Sequence, residues 1–400
     1  MRYDFNFYST LLLIFFSNGL LYSFLLLKKG IWNENQSNKW LSLFVFLCSL
    51  YIAPWMLGFA GWYDNQPYRE LMFCIPFQHL FFIGPVIYFY IQSLLNPSFK
   101  INKFNFSHLI PGIIYLIYNL IMVVGDKIIL KKSYFYADGM DRDFDDWYQK
   151  TGLLSMLIYF VVSLLYYQKF RKLMRQIASF ADDFLFKWIK TFLIAFLSMQ
   201  LLQVLFFVIS FLNPKIDGYV GSWWYYLCFA IIMFYIAITG YSNALLTKIP
   251  FQFDSFQNSK VFLLSPKENK ITEEIEFEEI FKSEEVSEEI LNWKNQVIAL
   301  FESEKLFRNS ELTLTEVSKK LKTNASVISK TINQGFKMNF NDFVNQYRIE
   351  EIKKAFENGE HKKSTLLGIA YDCGFNSKAT FNRAFKKNTG FSPKEYLIKI

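Results

Sequence analysis

The feature that most limits how this chain can fold is a series of apolar stretches of bilayer length. Seven fall within residues 1–250: Phe5–Leu27, Trp40–Gly61, Leu71–Leu95, His108–Val124, Gly152–Tyr167, Ile189–Leu212 and Trp223–Leu245. A helix crosses the hydrocarbon core of a membrane with about 20 mostly apolar residues. Gly152–Tyr167 is the weakest on length, and it extends both ways. Charge is essentially absent inside the stretches; Lys190 stands at the very start of the sixth. Turn residues such as Asn33, Asn35, Asn96, Pro97, Asn213 and Pro214 occupy the gaps between them. The expected fold is all-α: a seven-transmembrane helix bundle with more chain behind it. At 52% hydrophobic and 20% charged, 400 residues fit neither a single soluble globule nor a disordered chain.

The net charge of +8 divides into unlike parts. Residues 1–250 carry +7, residues 251–304 carry −8 and residues 305–400 carry +9. This predicts a transmembrane domain over 1–250, an acidic linker over 251–284 and a basic domain over 285–400. Lys28, Lys29 and Lys39 follow the first stretch, Lys100 and Lys103 the third, and Lys169, Arg171, Lys172, Arg175 and Lys187 the fifth. Lys/Arg-rich short loops stay in the cytoplasm. The expected topology in the inner (cytoplasmic) membrane therefore has the N-terminus outside and the C-terminal domain inside. The loop after the fourth stretch dissents, with five basic residues beside six aspartates. The basic cluster follows the first stretch and Arg2 is the one basic residue before it, which argues against a cleaved signal peptide.

Ion-coupled transport usually needs charge inside the spans, so its absence disfavours a transporter. His79, beside Gln78, is the most notable polar group in the third stretch. It is either an interhelical hydrogen-bonding group or a ligand contact. Pro54, Pro76, Pro85 and Pro111 are candidate kinks that could open a cavity. The loop from Asp126 to Lys150 places aromatics, Trp147 among them, beside Asp141 and Asp143. Such a loop suits a sugar, a cationic ligand or Ca²⁺, or is simply solvated; its spacing is not that of an EF-hand. Cys48, Cys74, Cys228 and Cys373 form no CxxC and read as buried free thiols. No metal or cofactor is expected. No G-x-S-x-G, HExxH or P-loop occurs, and an enzyme is not expected.

The basic tail reads as two short helical units around a longer helix. A helix over Thr315–Leu321 turns at Lys322-Thr323 into a second, capped by Asn324 and running through Ile332. A long amphipathic helix spans Asn341 to about Asn358. Ser364 then caps Thr365–Asp372, Gly374 makes a tight turn, and a last helix runs from Ser377 to Asn388. Two helix-turn-helix units on a stiff connector suit successive major-groove contacts with double-stranded promoter DNA. Upstream, Val286, Ile290, Trp293, Val297 and Leu300 form an apolar stripe. It serves either as a coiled-coil seam for a homodimer or as a helix packed on the basic domain.

Two motifs in the tail carry a resemblance. Ile369-Ala370-x-x-x-Gly374-Phe375 followed by Phe381-x-Arg383-x-Phe385-Lys386-Lys387-x-x-Gly390-x-Ser392-Pro393-x-x-Tyr396 resembles the C-terminal signature of AraC-type transcription regulators. Asn339-Phe340-x-x-Phe343-Val344-Asn345-x-x-Arg348-Ile349 resembles that family's linker helix. The likeness covers about 100 residues. It implies a bihelical domain reading DNA with Ser326, Ser329 and Lys330 on a first recognition helix and Lys378, Asn382 and Arg383 on a second. Arg383 is the strongest base-reading candidate, since a guanidinium bonds guanine O6 and N7 bidentately. Lys386 and Lys387 suit phosphate contacts. The chain departs from the family at Ile332-Asn333-Gln334, where F-K-K is frequent, and at Lys337, where Gly is usual.

The resulting expectation is a membrane-bound one-component transcription regulator responding to a small-molecule or envelope signal. The alternatives are a transporter or membrane enzyme with a regulatory DNA-binding tail, and a passive anchor whose tail is released by proteolysis. The acidic segment over residues 251–304 is a candidate shield for the basic domain, and deleting 268–289 should then raise DNA affinity.

Overall fold

A computed structural model describes residues 5–96, 99–180, 184–213, 220–242, 251–254, 260–264, 271–276 and 288–399. The chain separates into two units. One comprises Met1–Tyr166 and Trp188–Leu245, the other Tyr167–Lys187 and Leu246–Ile400.

The first unit is a helix bundle. Its elements are α1 (Phe7–Trp32), α2 (Gln36–Phe59), α3 (Tyr68–Cys74), α4 (Leu80–Leu95), α5 (Lys103–Ser107), α6 (Ile110–Val124), most of α7 (Asp146–Ile177), most of α8 (Phe184–Leu212) and α9 (Trp223–Ser242). Asn35 caps α2 by accepting from the Ser37 and Asn38 amides, which closes a tight turn after α1. Ser23 and Ser42 then pin α1 to α2, each hydroxyl donating to the other's carbonyl at 3.0 and 2.6 Å. Gly19 permits the close approach, since a Cβ there would lie 2.2 Å from Ser49 Oγ. The central helix is α2: 78% of its most apolar window is buried, against 22% for α1. Six described helices are long and apolar enough to cross a membrane.

The third expected span is not one helix. It consists of α3, a non-helical stretch over Ile75–His79, and α4, which at 16 residues is shorter than the six. Pro76 has no amide hydrogen and disfavours helix before it. The freed amides find partners far along the chain. Phe77 N and Gln78 N donate to Asp143 Oδ2 at 2.6 and 2.9 Å, and Leu80 N donates to the Tyr148 hydroxyl at 3.0 Å. Pro54 and Pro85 lie inside helices, whereas Pro111 sits in the first turn of α6, where a missing amide costs little.

The second unit is mainly helical and also contains a sheet that the sequence reading did not anticipate. Strands β1 (Phe251–Asp254), β2 (Lys260–Leu264) and β3 (Ile271–Glu276) form an antiparallel sheet in chain order. Val261, Leu263 and Ile275 are buried, and Phe251 packs against Phe170 in the last turns of α7, with ring centroids 4.8 Å apart. Residues 255–259, 265–270 and 277–287 of the proposed acidic shield, like Pro97, Pro214 and residues 243–250, lie outside the described residues. Helix α10 (Glu288–Glu304) buries Val297 and Phe301, with the Phe301 ring 5.0 Å from Phe343. Within the chain, Val297 and Phe301 thus face the basic domain.

Then come α11 (Leu314–Lys320), α12 (Ala325–Lys330), α13 (Phe340–Glu357), α14 (Leu366–Asp372), α15 (Lys378–Thr389) and α16 (Pro393–Lys399). A capping box of Thr313 and Glu316 starts α11. Thr365, rather than Ser364, caps α14, and Ser377 caps α15. Asn324 stands at the α12 N-cap with no side-chain cap bond. Gly374 makes the turn between α14 and α15 at φ +96°, where a Cβ would lie 2.4 Å from the Phe307 carbonyl oxygen. The four cysteines are free thiols.

Candidate nucleic-acid interface and bundle-end cavity

Two helix-turn-helix units, α11–α12 and α14–α15, flank α13. The second has a core in which Ile349, Ile352 and Phe356 of α13 meet Ile369, Phe375, Phe381 and Phe385. Burying Thr380, Phe381, Ala384 and Phe385 turns the opposite face of α15 outward. That face exposes Lys378, Asn382, Arg383, Lys386 and Lys387. The sequence therefore brings its proposed base-reading and phosphate-binding residues together on one surface. Lys387 is also engaged within the protein: its ammonium lies 2.6 Å from Asp342 Oδ2 at the start of α13.

The first unit offers less. Ser326 and Lys330 are half-buried and one turn apart, so they share a face of α12. Ser329, expected to contact DNA, is 2% exposed, and Asn333 donates to its hydroxyl at 3.4 Å. In this structure it belongs to the packed face. Helix α12 has six residues and continues as a wider turn over Thr331–Gly335. Lys337, the departure from the family's glycine, has φ +55°. That conformation explains the usual glycine.

The strongest polar feature of the second unit centres on Arg348, a residue of the linker motif to which the sequence assigned no role. Arg348 of α13 is 2% exposed, and its guanidinium is held by carbonyl, amide and hydroxyl oxygens. Its Nε donates to Phe307 O at 2.8 Å, Nη1 to Asn345 Oδ1 at 3.2 Å and Ser179 O at 3.5 Å, and Nη2 to Asn309 O at 2.8 Å and Ser179 Oγ at 3.1 Å. A guanidinium has five N–H donors, and these bonds engage them all. Ser179 is fully buried. Its amide donates to Leu312 O at 3.0 Å, and Asn341 Nδ2 donates to its carbonyl at 2.7 Å. Ala178 forms an antiparallel bridge with Thr313. Ala178 and Ser179, just beyond α7, are thus built into the helix-turn-helix unit. Gln176 also shares a cavity of about 690 Å³ with Asn333, Lys337, Asp342 and Lys387. Arg348 was visible in the linker motif, but nothing local marks Ser179 as its partner.

The four candidate ligand residues of the first unit separate. Asp141 lines a cavity of about 840 Å³ at one end of the bundle. Asp143 does not; its oxygens accept from Phe77 N, Gln78 N and the Tyr115 hydroxyl, the last at 2.9 Å. It is a clamp on the α3–α4 break. His79 sits just before α4 with its ring 6.2 Å from Phe82, and Trp147 is half-exposed beside Tyr115 and Tyr118; neither lines the cavity. The cavity's aromatic wall, which sequence reading missed, comes from scattered elements: Trp55 of α2, Tyr63 after it, Phe73 of α3, Phe144 of the loop and Tyr226 of α9. The Asp141 carboxyl accepts from the Tyr63 hydroxyl at 2.8 Å and the Asp143 amide at 3.0 Å. Burial, reinforced by the charge of Asp143, pushes it up to about 7. Among the described residues no group of three histidine, cysteine or acidic side chains converges to hold a metal ion.

Two helix-turn-helix units on a connecting helix, with a basic face on the second, define a bihelical DNA-binding domain. A family model for a helix-turn-helix domain matches residues 317–398. Two curated relatives, from Staphylococcus aureus strains COL and N315, are each described as an uncharacterized HTH-type transcriptional regulator. Each is 33% identical over 102 residues, 26% of this chain and 13% of its own length. The chain thus spans about an eighth of the relatives it matches. No solved structure matches. The C-terminal domain is thus a helix-turn-helix domain of AraC type, similar to domains found in HTH-type transcriptional regulators.

Proposed function

We propose that the protein is a membrane-bound one-component regulator. The apolar helices cross the inner membrane, the N-terminus lies outside, and the C-terminal domain reads promoter DNA from the cytoplasmic side. A small-molecule or envelope signal reaching the bundle alters DNA binding. The protein acts by binding rather than by catalysis. The observation that carries this reading is the Ser179–Arg348 attachment. Helix α7 starts in the apolar unit at Asp146 and ends at Ile177, two residues before Ser179. A shift of that helix end therefore acts on the linker helix between the two DNA-reading units. A ligand can move such an equilibrium only by its differential affinity for two states. A passive anchor with a released tail does not require this attachment.

Fractionation of cells after DNA cross-linking tests the reading. The target DNA should be recovered with full-length protein in the membrane fraction. Recovery with a soluble tail fragment would overturn tethered action in favour of release.

A further inference from the structure

We propose that the bundle-end cavity is a binding site for an organic ammonium ion, held by Asp141 inside an aromatic cage. Its role as the signal site rests on the regulator reading above; the binding itself does not.

The cavity's size, about 840 Å³, is that of a small-molecule site. Trp55 and Tyr226 stack with centroids 4.5 Å apart, and Phe144 meets Trp55 edge-on at 5.8 Å. Tyr63 and Phe73 lie 5.9 Å apart on the same wall. Aromatic faces attract cations through the ring quadrupole, and Trp does so best. Asp141 supplies the charge. It is 9% exposed, lines the cavity and is fixed by the Tyr63 hydroxyl and Asp143 amide, yet no cation pairs with it among the described residues. The nearby Arg142 is engaged by Asp138 and Asp145 instead. A buried carboxylate without a counter-ion is costly, and an incoming cation relieves that cost.

The lining also bears Asp64, Asp146 and one guanidinium, Arg69, which rests 5.5 Å from the Phe73 ring centroid. Carboxylates therefore outnumber cations three to one. A metal ion fits poorly, because the described residues offer no converging set of three ligands. Aromatic faces instead suit an alkylated ammonium, whose carbon shell packs against rings while its charge meets the carboxylate.

The test uses full-length protein in lipid nanodiscs, with choline, benzyltrimethylammonium and the neutral choline isostere 3,3-dimethylbutan-1-ol as probes. Binding is read from calorimetry and tryptophan fluorescence. At least one of the two cations should bind, with the isostere at least tenfold weaker than choline if choline is the binder. Asp141→Asn should weaken cation binding at least tenfold, while Arg69→Gln should strengthen it by removing a like charge. A merely structural role would move both variants in the same direction. No binding by either cation, equal binding of choline and its isostere, or weakening by both substitutions overturns the proposal. Cation binding that leaves DNA affinity unchanged upholds the site and contradicts the sensor reading.

Discussion

Arg348 Nη2 donates to Ser179 Oγ at 3.1 Å, joining the helix between the two helix-turn-helix units to the residue just beyond the end of α7. Replacing Arg348 with Met leaves the carbonyls of Phe307, Asn309 and Ser179 short of a buried donor. The expected loss is about 3–5 kcal/mol of the second unit's stability. Ser179→Ala removes one hydroxyl while keeping the backbone bonds, and should cost about 1 kcal/mol. Hydrogen exchange of α13 amides in the full chain measures both. Equal effects would mean that the guanidinium is not the centre of the attachment.

Lys337 adopts φ +55°, a region that costs a residue with a Cβ roughly 1–2 kcal/mol. Lys337→Gly should stabilise the second unit by about 0.5–1 kcal/mol, glycine's greater unfolded-state entropy offsetting part of the gain. A rise in thermal midpoint checks this; a fall would mean that the lysine side chain makes a contact worth more than the strain.

The Asp141 carboxyl, raised to about 7 by burial and then by Asp143, favours its neutral form in the folded bundle. Its contribution is therefore greatest near or below the ordinary carboxylate range and is lost as pH rises towards 7. Asp143, itself raised by burial, acts in the same direction, while the Tyr63 hydroxyl and Asp143 amide oppose the shift. Thermal midpoints should fall between pH 5 and pH 8, and Asp141→Asn should flatten that fall. Affinity for the ammonium probe should move oppositely, tightening as the carboxyl ionises.

Phosphate contacts are read from salt dependence, each contributing about 0.9 to the slope of log affinity against log salt. Lys386→Ala should lower the slope by about that amount. Lys387→Ala should lower it less if the lysine keeps its Asp342 partner on DNA. Identical losses would show that DNA draws Lys387 away from Asp342.

What the sequence made legible follows from how locally each feature is encoded. The tail could be read because caps, turns and apolar spacing lie within a few residues of what they specify; Ser377 and Gly374 are examples. The α3–α4 break was hidden because hydropathy averages over Ile75–His79, and the carboxylate serving its amides, Asp143, lies more than sixty residues away. The sheet was obscured because its strands are short, and in the third Glu273, Glu274 and Glu276 surround Ile275. Ser329 was misplaced because α12 is too short for its apolar spacing to fix both faces. The cavity required the ends of several helices to converge, and Ser179 has no sequence signature at all.

The central claim, sequence-specific DNA reading by the full membrane-bound chain, is tested by one measurement. Full-length protein in nanodiscs is titrated at fixed salt with its genomically mapped site and with a scrambled duplex. The wild type should prefer its site by roughly a thousandfold or more. Arg383→Ala should lose on the order of 5–150-fold of that ratio, the equivalent of about 1–3 kcal/mol for a bidentate base contact. Equal wild-type affinity for both duplexes at every salt concentration would contradict the account.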